Sequence, residues 1–247
     1  MILMVALVYS CSEEVQESTA TTEESISNDQ RYEGNRGGGE TDDPVIGVSC
    51  IHNLFPGLCG VETILVANIT LPQYPGCTFT FQMTYVKCTV GAIVETHFGD
   101  FTVQPTTNCP QYVADVNNAI ATNTLDAFAQ DFNKSVWKAI TEHYLNVIAT
   151  TPTAIIGYNP HSCMKTCFQM VNRGDYSGYI PRRYTCAYGC CKIKRNYQKV
   201  NNEWVLVSIV DESSTITTNC QDPVVIVCPA GTTISTNCMP SCDELLF

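Results

Sequence analysis

Residues 77–88 read CTFTFQMTYVKC. Cys77, Phe79, Phe81, Met83 and Tyr85 fall on one side of an alternation, with Thr78, Thr80, Gln82 and Thr84 on the other. A period of two with one apolar face marks a half-buried β-strand, and its polar second face points to antiparallel pairing. Upstream, residues 61–70 (VETILVANIT) read as a second strand, closed by Leu71-Pro72 and the turn Tyr74-Pro75-Gly76. Downstream, Val90 to Thr96 and Phe101 to Val103 read as shorter strands split by Gly99-Asp100.

The period then changes. Pro110 suits a first helical position, and Tyr112, Val113, Val116 and Ile120 share a face. Asn123-Thr124 interrupts. Leu125, Phe128, Phe132, Val136, Ile140, Tyr144 and Ile148 then recur every three or four residues, and Trp137 and Leu145 broaden the stripe. The spacing predicts helix over 110–149, packed on the sheet. After loops at Thr151-Pro152 and Asn159-Pro160, Lys192–Tyr197 and Trp204–Val210 read as a hairpin, with Val205, Val207 and Ile209 on one face. Val224–Cys228 reads as a further strand. The expected class is α+β: antiparallel β-sheet packed by one or two amphipathic helices and rich in disulfides. Residues 44–247 are expected to form this domain, with a β-rich subdomain from about residue 150 as the alternative.

Fifteen cysteines set the redox context. Fourteen of them lie in the expected domain: Cys50, Cys59, Cys77, Cys88, Cys109, Cys163, Cys167, Cys186, Cys190, Cys191, Cys220, Cys228, Cys238 and Cys242. An even set this dense reads as a disulfide framework in an oxidising compartment. His161, Cys163, Cys167, Cys186, Cys190 and Cys191 are the most metal-like group, but their Cys-x3-Cys spacings are not zinc-knuckle spacings, so disulfides are preferred and no metal is assigned. Adjacent Cys190 and Cys191 point opposite ways in an extended chain and are expected to bridge to different partners. No Cys-x2-Cys is present for thioredoxin-like chemistry.

The odd cysteine, Cys11, follows the apolar run MILMVALVYS. That run is too short to span a bilayer and reads as the end of a signal peptide over 1–10, with a start upstream of Met1 as one expectation. Leu7-Val8-Tyr9-Ser10-Cys11 resembles the lipobox of bacterial lipoproteins. That resemblance implies cleavage after Ser10, a lipid on Cys11, and membrane contact through that lipid only. Ser12-Glu13-Glu14 resembles the export tag of surface-displayed lipoproteins, which implies the outer membrane or cell surface. A simply secreted chain is the alternative, and the sequons Asn68-Ile69-Thr70 and Asn133-Lys134-Ser135 suit that reading.

Residues 12–43 carry ten acidic and two basic side chains and almost no apolar ones, so 11–43 reads as an anchor cysteine with a disordered acidic linker. The remaining 44–247 carry fourteen acids and eleven bases. That balance excludes a nucleic-acid binder, which needs a basic excess. Seven of the eleven bases fall within 173–199, among tyrosines. Arg173, Arg182, Arg183, Tyr184, Tyr188, Lys192, Lys194 and Arg195 are therefore the candidate ligand-binding residues. They would suit an anionic glycan or a surface protein, and the competing expectation is the solvated side of a hairpin.

Catalytic signals are weaker. No Gly-x-Ser-x-Gly or His-Glu-x-x-His occurs among the surroundings of His52, His97, His143 and His161. His97, near Glu95 and Asp100, is expected at a solvated strand edge. No catalytic residue and no cofactor is assigned. The function expected is an exported, surface-tethered, non-catalytic binding or structural module, with an exported hydrolase acting on glycan or peptide as the alternative.

Overall fold

The structure, a computed structural model, describes residues 59–174, 176–211, 220, 228 and 231–247; for 187 and 188 it describes the backbone only. All belong to one compact unit, Val45–Phe247. The fold is α+β, with antiparallel sheets packed against helices and six disulfides between described cysteines.

The strands are β1 (Thr63–Ile69), β2 (Phe79–Val90), β3 (Ile93–Pro105), β4 (Thr153–Tyr158), β5 (His161–Arg173), β6 (Tyr176–Cys190), β7 (Ile193–Val200), β8 (Glu203–Asp211), β9 (Thr232–Ser235) and β10 (Met239–Pro240). One sheet runs β1-β2-β3-β4-β7-β8, and the other has β5 between β6 and the short strands β9 and β10. Strands from both sides of residue 150 thus share the larger sheet. β3 and β4 are parallel, so a long crossover must join them, and the helices supply it.

The helices are α1 (Pro110–Ala121) and α2 (Leu125–His143), the second running into a π turn, Tyr144–Ile148. Pro110 opens α1, and Cys109 just before it is bridged to Cys77 at the start of β2. Asn123 breaks the helix with φ 57°, a left-handed conformation that Asn tolerates. The predicted stripe is buried except at Phe128 and Ile148, which are half-buried: Phe132 meets Phe79 and Tyr112, Trp137 meets Phe101 edge-on at 4.8 Å, and Phe128 reaches Phe168 of β5. Each such large side chain contributes about 1.5–3 kcal/mol by burial. The helices therefore join both sheets through one core.

The strand pair β4–β5 runs antiparallel to β6–β7 as one long ribbon. It passes from the larger sheet to the smaller at Asn159-Pro160 and Cys191-Lys192, where the Cys191 N–H donates to the Pro160 carbonyl. Asn159-Pro160, read from sequence as a loop, is this corner. Gly99-Asp100 does not split a strand either. Tyr85 faces Phe98 and Met83 faces Phe101, so two residues of β3 stand opposite one of β2: a β-bulge. β7 and β8 form the expected hairpin, turned by Asn201 and Asn202 with φ 51° and 67°, as a type I′ turn requires. Val205, Val207 and Ile209 are exposed, as is the rest of β8 apart from the half-buried Trp204. A register shift opposite Asn196/Tyr197 breaks the alternation there. The expected strand at 224–228 lies outside the described residues apart from Cys228.

Candidate functional site

The bulge and the ribbon corner bring separated polar side chains together. Asp100, carried by the bulge, accepts from the His161 backbone N–H at 3.2 Å and lies 2.6 Å from its Nδ1 through the same Oδ2. Both side chains are about a quarter exposed, at 27 % and 26 %. The other carboxylate oxygen of Asp100 lies 3.9 Å from Arg183 Nη1. Arg183 Nη2 donates to Glu244 Oε2 at 2.6 Å, and Asn133 Nδ2 of α2 donates to Glu244 Oε1 at 2.8 Å. A line of polar contacts thus runs from the buried helix to the surface at His161.

The charges on this line differ in setting. Glu244, held in a C-terminal 3-10 turn (Cys242–Leu245), is buried. Burial raises its carboxyl pKa, and Arg183 and then the Asn133 hydrogen bond oppose the rise. Among the described residues Arg183 finds no hydrogen-bond partner for Nε or Nη1, but its guanidinium lies 4.4 Å over the Phe101 ring. Arg195 is buried as well. It donates to the Leu245 carbonyl and stacks 3.8 Å over Phe247. Residues 244–247 therefore answer two interior arginines.

A second cluster sits on the larger sheet. His97 Nε2 lies 3.0 Å from Glu95 Oε2, Asn159 Nδ2 lies 3.1 Å from His97 Nδ1, and Lys194 Nζ lies 3.0 Å from Glu95 Oε2. His97 is 1 % exposed and β3 is an interior strand, so the expected solvated edge is corrected to a buried site. Room for the ring comes from Gly157, its register partner on β4, where a Cβ would stand 2.4 Å from Nδ1.

The candidate ligand-binding residues do not form one basic face. Arg183 and Arg195 are turned into the interior, and Lys194 is paired with Glu95. Arg173 is exposed at the end of β5. Arg182 and Tyr184 are half-buried on β6, in register with Cys167 and Lys165, and Arg182 Nε donates to Gln169 at 3.3 Å. Lys192 is half-buried at the corner. The Tyr188 side chain, Cys11 and Cys50 lie outside the described residues.

The metal-like cysteines are consumed by disulfides: Cys163–Cys220, Cys167–Cys228, Cys186–Cys238 and Cys191–Cys242. Cys190 is disulfide-bonded too, apart from its neighbour's bridge. Among the described residues no cluster of His, Cys, Asp or Glu is arranged to hold a metal ion. All thirteen described cysteines are bonded, so none is available as a thiolate nucleophile. Among the described residues His161 has the arrangement of a general base: its Nδ1 is tied to the Asp100 carboxylate, which orients the ring to act through Nε2.

Sequence reading did not find the Asp100–His161 pair or the roles of Asn133 and Glu244. Their partners lie 61 and 111 residues apart, and no local spacing signals them. For the other cluster, Gly157 inside the apolar run of β4 was a signal, since a strand glycine marks close approach of another group, here the His97 ring. No family model, no curated protein and no solved structure matches the chain.

Proposed function

We propose that the chain is an exported, surface-tethered, non-catalytic binding or structural module. The observation that carries this reading is the bonding of every described cysteine, which belongs to an oxidising compartment. The closure of the Asp100–Glu244 line and of the Glu95–Lys194 cluster on the chain's own groups supports a structural role for both. Tethering rests on the lipobox-like start at Cys11. Among the described residues no helix is long and apolar enough to cross a membrane. Arg182 and Tyr184, two residues apart on β6 and so on one face of it, are the residues through which an anionic glycan or a surface protein would be held.

A second reading, an exported hydrolase, draws on one observation: the partly exposed Asp100–His161 pair, in which His161 would activate water as general base. One experiment separates the two. The purified chain and its His161→Gln variant are assayed against glycan and peptide substrates, alongside binding to an array of anionic glycans. The module reading expects no turnover by either protein and binding weakened by Arg182→Glu. Turnover abolished by His161→Gln would replace it with the hydrolase.

A further inference from the structure

The two Asn-x-Ser/Thr sequons lie in opposite settings. Asn133 is 2 % exposed, and its amide nitrogen, the atom a glycan would take, donates to Glu244 in the core. A folded chain cannot carry a sugar there. Asn68 is exposed, as is Thr70, the residue that completes its sequon. It lies on β1, at the end of the larger sheet's strand order, with its side chain on the same face as the exposed Ile64 and Val66. Thr80 Oγ1, directly across the strand pair, donates to the amide oxygen Oδ1 of Asn68 at 2.6 Å. An N-linked sugar uses Nδ2 and leaves Oδ1 an acceptor, so the cross-strand bond survives modification.

We propose that Asn68 is a glycan acceptor of this protein and that Asn133 is not. The co-reactant is a lipid-linked oligosaccharide. A bond forms between Asn68 Nδ2 and the anomeric carbon, the bond from that carbon to the lipid phosphate oxygen breaks, and the amide proton leaves to base. The sugar projects over Ile64 and Val66, which are 61 % and 52 % exposed. A bulky polar group there hinders another strand from pairing along β1, the hazard that an apolar edge strand carries.

The test is glycopeptide mapping of the full-length chain from its native host, without reduction before folding is checked. The expected result is a sugar on Asn68, an unmodified Asn133, and complete loss of the added mass in Asn68→Gln and in Thr70→Ala. A bare Asn68 in the native protein overturns the proposal, as does a sugar on Asn133 in disulfide-bonded protein or added mass that persists in Asn68→Gln. A bare Asn68 with all disulfides formed overturns this inference alone, whereas free thiols count against the export reading.

Discussion

At the scale of single residues, two buried polar groups dictate their neighbours. His97 lies against Gly157 so closely that any side chain there must displace the ring. Gly157→Ala is expected to cost about 1–3 kcal/mol, the usual range for overpacking. In a His97→Ala background that cost should largely vanish; urea denaturation of the four proteins in the cycle measures it. Arg183 and Glu244 form the most deeply buried ion pair among the described residues. Arg183→Ala leaves the Glu244 carboxyl in the core without its ion-pair partner, and about 3–5 kcal/mol of destabilisation is expected by the same measurement. His143 offers a pH signal. Partial burial beside Phe81 lowers its pKa below the ordinary 6.5, so the folded state binds its proton less readily than the unfolded chain does. The folded chain's advantage is present above pH 6.5 and is lost as the pH falls through the lowered value. In His143→Gln the dependence of unfolding free energy on pH in that window should flatten.

At the scale of elements, the β5–β6 hairpin depends on the C-terminal segment. Cys163, Cys167, Cys186 and Cys191 bond Cys220, Cys228, Cys238 and Cys242 in the same order along the chain. The last rung holds the turn that delivers Glu244 to Arg183 and the Leu245 carbonyl to Arg195. Removing that rung with Cys191→Ala and Cys242→Ala opens a loop of 51 residues, worth about 4 kcal/mol by chain entropy. The midpoint of denaturant unfolding should fall accordingly.

The elements also differ in how far the sequence disclosed them. β2 and α2 were legible because each buries one face, so Phe79, Phe81 and Met83, or Phe132, Val136 and Ile140, recur at the period of the element. β5 and β6 were not. Cys163, Met164, Thr166, Cys167 and Phe168 are buried in near succession, since disulfides cover one side and the helices the other, and no alternation survives. The bulge at Gly99-Asp100 looked like a strand break because an extra residue and a glycine look alike in sequence. The site was the least legible part, because Asp100, Asn133, His161, Arg183 and Glu244 meet only through the ribbon corner and the C-terminal turn.

At the scale of the whole molecule, the chain joins a small-charge folded unit to an acidic N-terminal segment, and the cysteines connect fold to location. The same covalent set that fixes the C-terminal segment requires an oxidising environment to form. The disulfides and the buried arginines are therefore linked: the C-terminal segment that the bonds fix carries the groups that answer Arg183 and Arg195.

The central claim is tested most directly by non-reducing intact mass of the protein from its native host, after alkylation of any free thiols under denaturing conditions. The account predicts no alkylation at any of the thirteen described cysteines, and a chain that begins at an acylated Cys11. Alkylated thiols at Cys163, Cys167, Cys186 or Cys191 would contradict it, and would return those cysteines to consideration as metal ligands or nucleophiles.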